Sequence, residues 1–124
     1  MKTKKPEKFT KITKKQIAKK ERIEKNKKLK EWSRLVRERD KNKCVICKES
    51  KYLHAHHILP KEAKIYNFLK FDVNNGISLC PKHHKYSYEI SPHKNPFTFM
   101  SWLKNERFEQ YAYLLNKTAK NENN

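Results

Sequence analysis

All three cysteines and five of the six histidines of this 124-residue chain fall between Cys44 and His84. Cys44-Val-Ile-Cys47 opens the window, Cys80-Pro-Lys-His-His84 closes it, and Leu53-His-Ala-His-His-Ile-Leu-Pro60 lies between. Two ligands separated by two residues can sit on one tight turn, and a structural zinc ion takes four such thiolate or imidazole ligands in a tetrahedron. Cys44, Cys47 and Cys80 supply three. His83 has the spacing for the fourth, with His84 its neighbour. No βαβ pattern surrounds Cys44–Cys47, which argues against a redox pair.

With zinc satisfied, His54, His56, His57, His84 and His93 remain. A neutral imidazole near pH 7 can ligate a metal or take a proton from water. Phosphodiester hydrolysis can use both functions, because a divalent ion can stabilise the charge that builds on the phosphate and the leaving oxygen while a nearby base activates water. Asn75 is a side chain able to fix the tautomer of a base. Residue types alone do not say which histidine does what. His54 reads as a surface or strand-face residue and not as a ligand.

Short elements must hold these groups. From about Thr13 the sequence is rich in Lys, Glu, Gln, Ala and Arg, with no Gly or Pro before Pro60, which predicts a long basic helix. Its first half has little to bury and is marginal without a partner. Trp32, Leu35 and Val36 form an apolar stripe expected to pack on the metal-binding module, Trp32 as core. Strands are expected at Tyr52–Leu59 and Ile77–Cys80, a positive φ at Asn75-Gly76, a helix from Pro81 to about Tyr88, and one last helix over Phe97–Lys117. Residues 1–30 read as a basic arm, disordered or marginally helical, 31–119 as the functional domain, and 120–124 as a disordered tail.

The net charge is +18, and residues 1–43 alone hold 19 Lys/Arg against 6 Asp/Glu. A one-sided basic arm is the footprint of a polyanion binder. Apolar residues make up 35% of the chain, too few for a large core, so a metal staple is expected. No signal peptide or membrane span is read, and three cysteines beside metal-ligand spacing suit a reducing, cytoplasmic setting.

The order Cys-x2-Cys, His-His-Ile-x-Pro, Asn-Gly-Ile-x-Leu-Cys-x2-His-His resembles the HNH endonuclease family, in its zinc-stapled branch common in phages and prophages. The resemblance covers roughly residues 44–97. It implies an α+β fold: a small ββα-metal (His-Me finger) unit with structural zinc, here flanked by the N-terminal basic helix and a C-terminal helix. It implies that His57 is the general base, Asn75 its orienting residue, and His56 and His84 ligands of a catalytic divalent ion (Mg²⁺, Mn²⁺ or similar). His93 is expected to complete that set through a longer excursion than relatives use. Cys44, Cys47, Cys80 and His83 resemble the structural zinc ligands, although many relatives use Cys at the fourth position.

The expected function is a metal-dependent DNA endonuclease of a bacterial or phage-infected cell. It would act on double-stranded DNA, nick as a monomer, and leave 5′-phosphate and 3′-hydroxyl ends. Lys61, Lys64, Lys82 and Lys85 are expected on phosphates, which positions substrate without specifying sequence. The alternative is a zinc-stapled nucleic-acid-binding module without catalysis. A weaker third reading is a small basic RNA-associated protein.

Overall fold

The computed structural model describes residues 11–122, with side chains through residue 119. The expectation of disorder for Met1–Thr10 lies outside the described residues. Helix α1 (Lys14–Arg39) begins at a capping box: the Gln16 N–H donates to Thr13 Oγ1 while the Thr13 N–H donates to Gln16 Oε1. At 1.5 Å per residue it is about 39 Å long. Every side chain from Lys14 to Lys28 is exposed, and burial begins around Leu29 and Trp32. Trp32 and Val36 carry the packing, whereas Leu35, expected in the same stripe, faces outward and is 37% exposed.

Strands β1 (His54–His57) and β2 (Gly76–Leu79) pair antiparallel, with His54 opposite Leu79 and His57 opposite Gly76. Both differ by a few residues from the expected spans. Tyr52 has a φ of 56°, so the chain is still turning there and cannot yet pair. Helical turns at Lys64–Leu69 and Val73–Asn75 fill the connection between the strands.

Gly76 corrects an expectation. Its φ is −128°, extended backbone that any residue adopts. Glycine is needed because α1 crosses directly above it: a Cβ there would lie 2.4 Å from Val36 Cγ2 and 2.6 Å from Trp32 Cζ2. Both neighbours are buried and have no free end to swing aside. Gly76→Ala is therefore expected to cost about 1–3 kcal/mol by overpacking, read as a lower denaturant midpoint. An unchanged midpoint would mean that α1 lifts off the sheet without cost.

The helix expected over Pro81–Tyr88 is a single wide turn, Lys82–Tyr86, closed by the Ser87 N–H donating to the Lys82 carbonyl. Ser87 then leaves helical geometry. Its carbonyl accepts from the Ser91 N–H, and the Ser91 carbonyl from the Asn95 N–H, which folds 87–95 into a compact loop. The expected single final helix is two, α2 (Pro96–Glu106) and α3 (Phe108–Glu122). Arg107 breaks it: its guanidinium donates to Asp40, 67 residues away, and to Gln110. The backbone of α3 also runs three residues into the segment read as a tail.

The result is a small α+β fold whose core gathers Cys44, Ile58, Leu69, Ile77, Leu79, Cys80, Phe99, Leu103 and Leu114. A polar web fastens α1 and α3 to the segment leading into β2. Arg39 donates to the carbonyls of Val73 and Gly76, Gln110 to those of Asn74 and Gly76, and Trp32 Nε1 to that of Asp72. The Asp40 carboxylate is buried, but Arg39, Arg107 and the Ser78 N–H satisfy it. Among the described residues, no helix is long and apolar enough to cross a membrane.

Candidate active site

The first cluster is made by two turns. At Cys44–Cys47 the Lys48 N–H closes on the Cys44 carbonyl, and Lys48 takes a φ of 68°. Cys80 follows β2 directly, and the wide turn after it brings His83 back. Ligand atoms of Cys44, Cys47, Cys80 and His83 all lie within 4.8 Å of one another. Cys47 Sγ is 3.6 Å from Cys80 Sγ, and His83 Nδ1 is 3.3 Å from Cys80 Sγ and 3.8 Å from Cys44 Sγ. A tetrahedron with Zn–S of about 2.3 Å and Zn–N of about 2.0 Å has edges of about 3.5–3.8 Å. Donor set and spacing thus fit a structural zinc, which this cluster could hold.

Burial pushes the Cys80 thiol up to about 11, helped by Cys47 and Cys44 beside it. Burial also opposes ionisation of Cys44, but backbone N–H groups of Cys47, Cys80 and Ile46 outweigh it and bring that thiol below its usual range.

The second cluster begins one residue later. His83 turns toward the cysteines and the buried His84 toward β1. His84 Nε2 is 3.1 Å from His56 Nδ1 and 3.2 Å from His93 Nε2. The compact 87–95 loop delivers His93, nine residues beyond His84. These three histidines form a second group able to hold a metal ion. Burial, then the positive charge His84 and His93 would carry, lowers His56 to about 3; burial and the neighbouring His93 and His54 lower His84 to about 4. Both rings are thus neutral near pH 7, the state in which imidazole can ligate.

His57 points from the other side of β1, since successive strand residues alternate. Its Nε2 is 2.9 Å from the Lys70 carbonyl oxygen, which can only accept. The proton therefore sits on Nε2, and the Nδ1 lone pair is left for other use. The ring lies on Trp32, with centroids 3.7 Å apart and planes 10° from parallel. Burial lowers the basicity of His57, partly countered by the Lys70 carbonyl.

Residues 44–87, about a third of the chain, match the family model described as HNH endonuclease. Over these residues the chain is similar to HNH endonucleases. Searches of characterised proteins and of solved structures return no match.

His56, His57, His84, His93, Lys61 and Lys85 line one cleft of about 550 Å³, together with Phe99 and Met100. Lys64 and Lys82 are exposed but lie outside that lining. Asn75 bonds backbone around His57. It is fully buried, and its amide donates to the Leu59 and Leu69 carbonyls while accepting from the Leu59 N–H. It clamps both ends of the 59–69 connection, one residue short of the carbonyl that holds His57, and does not itself bond the ring. Sequence reasoning also missed Trp32 as the partner of His57; helical spacing marked it as buried, but nothing local says against what. His54, read as a surface or strand-face residue, is exposed and lies 3.1 Å from His84. Its spacing of two from His56 was the available signal.

Proposed function

We propose that the chain is a metal-dependent DNA endonuclease in which His57 takes a proton from the water that attacks phosphorus. The observation that carries this is the pairing, in one cleft, of three converging imidazoles with a fourth whose Nδ1 has no hydrogen-bond partner among the described residues and can accept a proton. A divalent ion bound by His56, His84 and His93 would supply Lewis-acid stabilisation of charge on the phosphate and the leaving oxygen. His57 receives the water proton at Nδ1. The Lys70 carbonyl holds Nε2–H and stabilises the imidazolium that results. Asn75 keeps that carbonyl in place by fixing the connection that leads to it. Lys61 and Lys85 meet phosphates at the cleft, Lys64 and Lys82 farther out, and the exposed lysines of α1 extend the track beyond it.

One such site serves one strand, so a single chain nicks duplex DNA. Zinc-loaded protein incubated with supercoiled plasmid and Mg²⁺, Mn²⁺ or no second ion is expected to give open circles only with an added ion, ahead of linear product. DNA retained but uncut under every ion would reduce the chain to a binding module.

Trp32 is a positioning residue for the base in this scheme. A displacement near 1 Å at a reacting group can cost about 100-fold. Trp32→Leu is thus expected to lower the nicking rate by about 10-fold or more with little change in DNA affinity, and Trp32→Phe, which keeps a stacking face, by less. Equal rates for all three proteins would leave the stack without a role in turnover.

A further inference from the structure

The two nitrogens of His84 face different partners. Nε2 looks into the group with His56 and His93, at 3.1 and 3.2 Å, whereas Nδ1 is 3.1 Å from Nδ1 of His54. His54 and His56 share a face of β1 by the period of two, so both reach the same buried ring. The His54 and His84 rings meet edge to face, 5.2 Å apart and 80° inclined. His54 is exposed and His84 buried, so its contact with His84 is not forced by core packing.

A neutral imidazole carries one N–H and one lone pair. A proton on Nε2 of His84 would point into the space between His56 and His93 and remove the lone pair an ion needs there. A proton on Nδ1 points at His54 instead. Histidines that bind metals generally donate their other N–H to an acceptor, which fixes tautomer and ring orientation. No carboxylate stands beside His84 Nδ1 among the described residues; the acceptor in place is the imidazole of His54.

We infer that His54 is a positioning residue for His84: its Nδ1 accepts the Nδ1–H of His84 and so reserves Nε2 of His84 for the divalent ion. His54 carries its own proton on Nε2, toward solvent. This rests on the assignment of His84 as a ligand of that ion. It makes the Leu53-His-Ala-His-His motif a set of three roles on one strand: one residue to orient a ligand, one to ligate, and one to accept a proton.

Loss of such an outer partner typically costs about 10- to 100-fold in metal affinity. Asn and Leu have the same shape at this position, but only Asn offers an acceptor where His54 Nδ1 stands. The experiment is Mn²⁺ titration calorimetry on zinc-loaded full-length protein, comparing wild type, His54→Asn, His54→Leu and His84→Ala. Ring ¹⁵N NMR of His84 is recorded in parallel on the proteins without Mn²⁺. His54→Leu is expected to bind Mn²⁺ at least about 10-fold more weakly, with loss of the single Nδ1–H tautomer. His54→Asn is expected to stay within about threefold of wild type with that tautomer kept. Equal affinities in all three proteins with His84 intact would overturn the role of His54, and so would equal weakening by Asn and Leu. Absence of Mn²⁺ binding in wild type, or unchanged binding in His84→Ala, would overturn the ligand assignment and the role of His54 with it.

Discussion

His57→Ala is expected to lower plasmid nicking by about 10²- to 10⁴-fold, the usual contribution of general acid–base catalysis, with zinc content and DNA retention unchanged. The ring touches neither metal group directly. Its contacts are the face of Trp32 and the Lys70 carbonyl, so its removal leaves both clusters and the basic surface in place. The void beside Trp32 costs some stability, which a thermal melt measures separately. His57→Gln tests the chemistry more sharply, because it fills much of the space and cannot take up a proton near neutral pH. Gln as inactive as Ala would assign the loss to proton transfer; a Gln variant near wild type would make the ring a spacer.

The second large effect concerns zinc. Cys80→Ser, or a strong chelator, is expected to abolish the cooperative thermal transition, and zinc is expected to restore it in the chelated wild type but not in the variant. Structural zinc in small finger domains is worth about 10–16 kcal/mol near pH 7, comparable with the whole stability of an ordinary domain, about 5–15 kcal/mol. Here Cys44 and Cys80 belong to the core itself, and the cluster ties the Cys44–Cys47 turn to the end of β2. Because burial holds Cys80 protonated in the ion-free protein, zinc uptake must release protons, and zinc affinity falls as pH falls. Circular dichroism melts with and without chelator give the answer. A melt that chelation leaves unchanged would mean that the apolar core suffices alone.

What the sequence disclosed follows from how local each feature is. Cys44-x2-Cys47 and Cys80-x2-His83 are turns whose chemistry is written within four residues, and the structure brings their ligand atoms together. The long helix from Lys14 is equally local, being composition plus a cap. Other features were hidden because they are made by distant segments. Gly76 looked like a turn glycine beside Asn75, yet it is required by Trp32 and Val36, some forty residues earlier. The last helix breaks at Arg107 because that side chain is held by Asp40 from the end of α1. Asn75 looked like a partner for an imidazole and is spent on the backbone of Leu59 and Leu69. His93 had the right residue type at an unfamiliar spacing, and only the compact 87–95 loop explains how it reaches His84.

The most direct test of the central claim is end-group analysis of plasmid nicked by wild-type protein in water enriched in a heavy oxygen isotope. If His57 activates water for attack on phosphorus with the 3′ oxygen leaving, each nick carries a 3′-hydroxyl and a 5′-phosphate with one heavy oxygen. A 3′-phosphate or cyclic phosphate end, a 5′-phosphate without the label, or no nick with any divalent ion would contradict it.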